Sequence, residues 1–365
     1  MNYNEHPQNT QAGTNPPSPR PPRQSGKKPI AAQILAPILG MLTIILAILL
    51  ATVCLRNTYL QRQKEKAEME AETAVAKLQD DLQQLQAHLD NDTILIEDFK
   101  DNAARYNVSA EFIQRFFDDV IIYKDQGIVY EPIDPNLPKN SYDWSFLTRQ
   151  GSRYSYLPDN GPAAKLGIDV AKFQEEIDWE KVAAEGIRFA MVRMGYRGYG
   201  TGALMTDPNF QQNVEGALEN GIDVGVYFFS QAINENEAIE EAEYLLDAIK
   251  GYNIKMPVVF DMEMIAESST ARANNLSPQQ RTAITKAFCS RIKLAGYTPM
   301  IYGNPGWMLS KVNFEELTEY PLWLAQYYRE PFFPYEFQMW QYTNTGRVNG
   351  INGNVDLNLC FTDQW

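Results

Sequence analysis

The chain has 365 residues, a formal charge of −14 and an apolar fraction of 44%, which belongs to a folded protein rather than a disordered one. Such acidity excludes a nucleic-acid partner, because a phosphate backbone is bound through basic patches that release its counterions. The only two histidines are His6 and His88, so the region from Gly161 onward can build neither a Ser-His-Asp triad nor a His-ligated zinc site, and carboxylates remain for proton transfer.

Residues 1–29 are rich in Pro, Asn, Gln and Ser and end among Arg20, Arg23, Lys27 and Lys28, a composition that cannot bury a core; they are read as a disordered tail. Residues 30–55 carry no charge and are dominated by Leu, Ile and Ala, long enough to cross a lipid bilayer as one helix. A cleaved signal peptide is the rival reading, but its apolar core would be shorter. Ala51-Thr52-Val53-Cys54 superficially resembles a lipoprotein processing site, yet Val53 is a poor fit to the small residue required there. Arg56, Arg62, Lys64 and Lys66 follow the span while bases also precede it, so charge alone does not orient it.

Residues 56–92 follow as a helical stalk. Ala71, Val75, Leu78, Leu82, Leu85 and Leu89 recur at alternating spacings of four and three, the seam of a short coiled coil. A homodimer through this stalk and a lone helix folded on its own neighbour both remain open. Residues 93–160 contain an amphipathic patch, Phe112 to Phe117, and a Pro-containing extended stretch, Tyr130 to Pro135; they are read as an accessory segment or packed linker without assigned chemistry.

From 161 to 365 the pattern is a short apolar strand followed by a helical stretch. Strands are predicted at Gly167–Val170, Phe189–Met194, Val224–Phe229, Met256–Phe260, Pro299–Tyr302, Leu322–Gln326 and Phe337–Tyr342. Helices are predicted at Asn209–Glu219, Glu235–Ile249 and Pro278–Leu294, the last opened by Ser277 as N-cap and Pro278 in the first turn. Alternating β and α elements define an α/β fold, either a barrel or a doubly wound sheet. Pro331, Pro334 and the Gly/Asn-rich stretch 344–354 leave little room for late crossover helices, so the last third is expected to be strand-rich and irregular. Cys289 and Cys360 sit in apolar contexts and are read as buried core thiols.

The sharpest chemical feature is Met256-Pro257-Val258-Val259-Phe260-Asp261-Met262-Glu263. An apolar run that ends in Asp-x-Glu places both carboxylates on one face of a strand, at the edge of the core. An isolated Asp-x-Glu is more often a solvated loop pair. Here burial and mutual repulsion should hold one of the two acids protonated near neutral pH, the arrangement that glycosidic bond cleavage needs. Residues at the other strand ends become candidates with it: the acids Asp169 and Asp356, and Tyr196, Tyr227, Tyr302, Gln326, Tyr327, Trp340 and Gln341, whose rings and amides suit sugar faces and hydroxyls. No metal and no cofactor are called for.

These residues resemble the family 25 glycoside hydrolases, N-acetylmuramidases (lysozymes of the Chalaropsis type). The resemblance is carried, in order, by Gly167-Ile168-Asp169-Val170 with Gln174 and Ile177-Asp178-Trp179; Asp207 with Phe210 and Asn213; Gly225-Val226-Tyr227; and Val259-Phe260-Asp261-Met262-Glu263. Pro299-Met300-Ile301-Tyr302, Pro321 to Tyr327, Trp340-Gln341-Tyr342 and Gly353 to Asn358 complete it, and nothing before Gly161 shares in it. It implies an irregular (β/α) barrel with Glu263 as general acid and Asp261, Asp169 and Asp356 as the other active-site acids, acting on the β-1,4 bond after N-acetylmuramic acid in peptidoglycan glycan strands. Asp356 precedes rather than follows its strand, which fits a last strand that runs antiparallel. Phe228 and Glu175 depart from the His and Gly common at those positions. Since peptidoglycan lies outside the membrane, the resemblance also implies a single-pass protein with a cytoplasmic N-terminus and an extracellular catalytic domain. An inactive glycan-binding module and a chitinase-like hydrolase are the competing readings.

Overall fold

The computed structural model describes residues 30–89, 96–125 and 127–365. The tail 1–29 and the last residues of the stalk, 90–92, lie outside the described residues. Two compact units result, one ending at Leu95 and one spanning Ile96–Trp365.

In the first unit a single helix, α1 (Ile30–Leu89), runs for 60 residues. Among the described residues it is the one helix long and apolar enough to cross a membrane: its most apolar stretch has a mean hydropathy of 1.9 and is not buried at all. A membrane anchor and a signal sequence share this property. Met41, Leu42, Ile44, Ile45, Leu46 and Leu49 all project outward, which an isolated aqueous helix would not favour.

The second unit opens with α2 (Ile96–Arg105), α3 (Ala110–Gln114), an antiparallel hairpin of β1 (Val120–Asp125) and β2 (Gly127–Pro132), and a second hairpin of β3 (Leu147–Gln150) and β4 (Arg153–Tyr156). Then come β5 (Lys165–Val170), α4 (Trp179–Ala184), β6 (Phe189–Arg197), β7 (Leu204–Thr206), α5 (Phe210–Glu219), β8 (Asp223–Ser230), α6 (Glu235–Ala248), β9 (Val258–Met262) and α7 (Pro278–Leu294). The chain finishes with β10 (Pro299–Gly303), α8 (Pro305–Ser310), β11 (Leu322–Ala325), β12 (Met339–Gly346) and β13 (Val355–Cys360).

Strands β5, β6, β8, β9, β10, β11, β12 and β13 close into one barrel-like sheet, because β5 pairs with both β6 and β13; β7 adds an outer edge on β6. Neighbours run parallel from β5 through to β12, whereas β13 is antiparallel to both β12 and β5. The reversed last strand therefore starts where the others end, and Asp356 lies directly opposite Asp169. Helix α7 begins as its sequence dictates: Ser277 Oγ accepts from Gln280 N (3.2 Å) and Gln280 Oε1 accepts from Ser277 N (2.9 Å).

Alternation along each strand separates two cores. Phe189, Met191, Met256, Val259, Met300, Trp323, Met339 and Cys360 fill the barrel interior. Outward-facing Ile168, Val192, Val226, Phe260, Ile301 and Leu324 belong to the layer under the helices. Gly167 faces inward, and a Cβ there would lie 2.4 Å from the Phe189 ring, so the glycine makes room for a large bottom-layer side chain. Cys289 and Cys360 are both free and buried, in different cores, and burial pushes the Cys360 thiol up to about 11.

No helix follows β11 or β12, and residues from the accessory segment cover that side instead. Trp144 stacks on Phe337 (6.2 Å, 7°), Tyr142 packs on Phe361 (4.5 Å), and Tyr154 meets Trp340 (5.4 Å) and Tyr342 (5.0 Å). Tyr142 Oη donates to Phe337 O (2.7 Å), and Asn140 N donates to Pro334 O (2.9 Å). Burial of each large ring here contributes on the order of 2 kcal/mol. The outer faces of β12 and β13 thus take aromatic cover from Tyr142, Trp144 and Tyr154 within the unit Ile96–Trp365.

Candidate active site

The barrel interior changes character at one end. The inward position nearest that end is Asp169 on β5, Arg193 on β6, Tyr227 on β8, Asp261 on β9, Tyr302 on β10, Gln341 on β12 and Asp356 on β13, and all seven line one cleft of about 490 Å³. Glu263, one residue beyond β9, joins them, as do Tyr196 and Trp323. A ring of polar tips over an apolar plug is the expected placement for chemistry in such a sheet.

Gln341 organises half of this ring. Its Oε1 accepts from Tyr302 Oη (2.9 Å) and Tyr327 Oη (2.8 Å), while its Nε2 donates to Asp169 Oδ2 (2.9 Å) and Asp356 Oδ2 (3.3 Å). Asn358 adds a second donor to Asp169 Oδ2 (2.8 Å), itself oriented by accepting from Trp323 Nε1 (2.8 Å). Burial raises the Asp169 carboxyl, whereas the donors from Asn358, Gln341 and Asp356 pull it back. Asp356 is pushed up to about 9, by burial first and then by the Asp169 charge. Within this pair Asp356 keeps the proton more readily, and Asp169, with three donors, is the member that ionises first.

Asp261 and Glu263 form the second pair. Asp261 is buried, its Oδ1 has no hydrogen-bond partner, and burial followed by the Glu263 and Asp169 charges holds its carboxyl well above the usual range. Glu263 is reached by solvent, yet it stands inside a concave wall of protein that solvates it poorly, and its carboxyl is raised as well. Two raised carboxyls in contact hold one proton between them at neutral pH. Of the two, Glu263 opens toward the cleft.

Arg193 is the functional residue that composition and periodicity overlooked. It is buried, binds Asp207 Oδ2 through Nε (2.8 Å) and Nη2 (2.6 Å), and its charge draws Asp261 downward against burial. Asp207 also accepts from Lys172 N (3.1 Å) and Asn209 N (3.0 Å), tying the loops after β5 and β7 to β6. The signal for Arg193 was a lone cation inside an otherwise apolar strand, Phe189 to Met194, where only a buried partner makes a charge tolerable.

Three candidates, Trp340, Gln326 and Tyr327, do not line the cleft. Trp340 is wholly buried on the outer face of β12, one residue out of phase with Gln341, and its Nε1 donates to Gln326 O (2.7 Å). Gln326 follows the inward Ala325 and turns its Oε1 to Phe332 N (2.8 Å), bracing a loop. Tyr327 reaches the ring through its bond to Gln341. Among the described residues no cluster of three or more His, Cys, Asp or Glu side chains is arranged to hold a metal ion.

A closed sheet with paired carboxylates at the strand ends and an aromatic-lined cleft offers the groups that proton transfer to a glycosidic oxygen needs. The model of the glycosyl hydrolases family 25 matches residues 168–351, half of the chain, and the chain belongs to that family; it is a glycoside hydrolase. The Escherichia coli K12 protein YegX, described as uncharacterized, is 30% identical over 222 residues, covering 56% of this chain and 75% of that protein. Lysozyme M1 of Streptomyces globisporus is 29% identical over 202 residues, covering 53% of this chain and 66% of its own. Among solved structures, the modular autolysin LytC from Streptococcus pneumoniae matches with a TM-score of 0.49 at 22% identity, over 67% of this chain and 57% of that one.

Proposed function

We propose that the protein hydrolyses the β-1,4 bond between N-acetylmuramic acid and N-acetylglucosamine in peptidoglycan. The observation that carries this reading is the pair of carboxyls, Asp261 and Glu263, lining one aromatic-walled cleft, within a family that includes lysozymes. A sugar that fills the cleft removes water from Glu263, raises its carboxyl further and draws the shared proton to the member facing the glycosidic oxygen. Glu263 then protonates that oxygen as the C–O bond breaks and its electron pair leaves with the departing sugar. Ionised Asp169 and the remaining charge of the pair face the developing oxocarbenium ion, and a water completes hydrolysis.

The fold belongs, on this reading, to the irregular (β/α) barrels of the family. Helix α1 anchors the protein in the cytoplasmic membrane through residues 30–55, with the catalytic unit outside, where the wall is remodelled locally. The apolar part of α1 from Met41 to Leu55, exposed throughout, supports an anchor. If a cleaved, freely diffusing form were the main species in culture supernatant, local remodelling would fail. Residues 56–92 form the stalk, and a mass in sedimentation unchanged by its removal would reject dimerisation through it. Digestion of purified peptidoglycan tests the activity: muropeptides with reducing muramic acid ends are expected. Products from chitin alone, or binding without products, would overturn the reading.

A further inference from the structure

The cleft is acidic except at one corner. Asp169, Asp261, Glu263, Glu267 and Asp356 line it, against Arg193 and Lys172. Arg193 is already matched by buried Asp207, so its charge is largely spent within the protein. Lys172 is different. It is exposed on the cleft wall, enters no ion pair among the described residues, and its backbone is pinned by the bond from its N to Asp207 Oδ2 (3.1 Å). Its ammonium lies 5.5 Å from the Phe173 ring and 5.8 Å from the Tyr196 ring, and Phe173 is 70% exposed. A cation held between two rings on the wall of an acidic cleft has a defined position without a counter-charge of its own.

We propose that Lys172, with Phe173 and Tyr196, forms a subsite for a carboxylate that hangs from the glycan as a substituent, so that the enzyme reads the decoration of the strand as well as the sugar. The inference rests on the peptidoglycan reading above. In that polymer a carboxylate arises from two sources: the peptide attached to the muramic acid, or the sugar's own lactyl group once peptide is removed. The neutral sugar faces meet the rings, the anion meets the ammonium, and the acids at the barrel mouth turn it away from the reacting centre.

The test uses the whole protein and four substrates: glycan strands with peptide, carrying free or amidated carboxylates, and peptide-stripped strands with free or amidated lactyl groups. Wild-type enzyme is expected to prefer the carboxylate over the amide form by on the order of fivefold in kcat/KM, as a solvent-accessible ion pair allows. A preference confined to peptide-bearing strands assigns the anion to the peptide; one that persists on stripped strands assigns it to the lactyl group. Lys172→Gln should abolish the preference, Lys172→Arg should keep it, and Lys172→Glu should invert it. Equal use of both forms by the wild type, or a preference that survives Lys172→Gln, overturns the proposal. Cleavage of none of the four by the wild type would instead count against the peptidoglycan reading itself.

Discussion

Replacing Gln341 with methionine removes the amide that joins both halves of the acid ring while nearly preserving volume, so no cavity term enters. The structure gives the magnitude. Three bonds of 2.8–2.9 Å are lost, two from phenols and one to the ionised Asp169, together with a longer one to Asp356. At about 1 kcal/mol for each neutral bond and up to about 2 kcal/mol for the charged one, the sum is roughly 3–4 kcal/mol. Tyr327 is exposed and can recover water, which lowers the expected loss to about 3 kcal/mol, or some 6–12 °C in Tm for a unit of this size. Activity should report a second effect. Asp169 loses one of the donors that offset its burial, so its carboxyl rises further and it ionises only at higher pH. The acid limb of the pH–rate profile should therefore move upward, with a larger loss at pH 5 than at pH 7. Scanning calorimetry and wall-clearing rates measured across pH check both effects. A Tm within 1 °C of wild type with a superimposable pH profile would refute the role given to Gln341.

Two other perturbations follow from the same reasoning. Glu175 holds φ +54°, a backbone region open to glycine but strained for other residues, so Glu175→Gly should stabilise the protein by about 1 kcal/mol in urea unfolding; destabilisation would contradict this. Asp356 has a folded-state carboxyl raised to about 9, so the folded protein keeps a proton that the unfolded chain releases. That contribution is fully present below the ordinary carboxylate range and is lost as pH rises through about 9. Asp356→Asn should thus gain more in unfolding midpoint at pH 8 than at pH 5, although partial exposure of the side chain reduces the slope, and an equal change at both pH values would count against a protonated Asp356.

Much of the site was legible because a strand's alternation fixes which side chains share a face. Asp261 and Glu263 came from an apolar run ending in acids, and the late gaps rich in Pro, Gly and Asn left little room for crossover helices; none lies between β11, β12 and β13. The same alternation explains the misses. Trp340 and Gln341 are adjacent, and a strand end read to within one residue cannot tell which of them faces inward; the structure puts the amide in and the indole out. Arg193 was hidden because its meaning depends on Asp207, fourteen residues away on another loop. The accessory segment was opaque for a related reason: Tyr142, Trp144 and Tyr154 have no local periodicity, and their purpose exists only against the outer faces of β12 and β13.

The account depends most on the proton that leaves through Glu263. Glu263→Gln keeps the shape and removes the proton, and among the described residues the exposed Glu263 carboxyl enters no ion pair whose loss would unfold the barrel. Its release of soluble muropeptides from purified peptidoglycan, followed by chromatography, is predicted to fall by about a thousandfold while Tm stays within a few degrees of wild type. Release within tenfold of wild type by the folded variant would contradict the central claim.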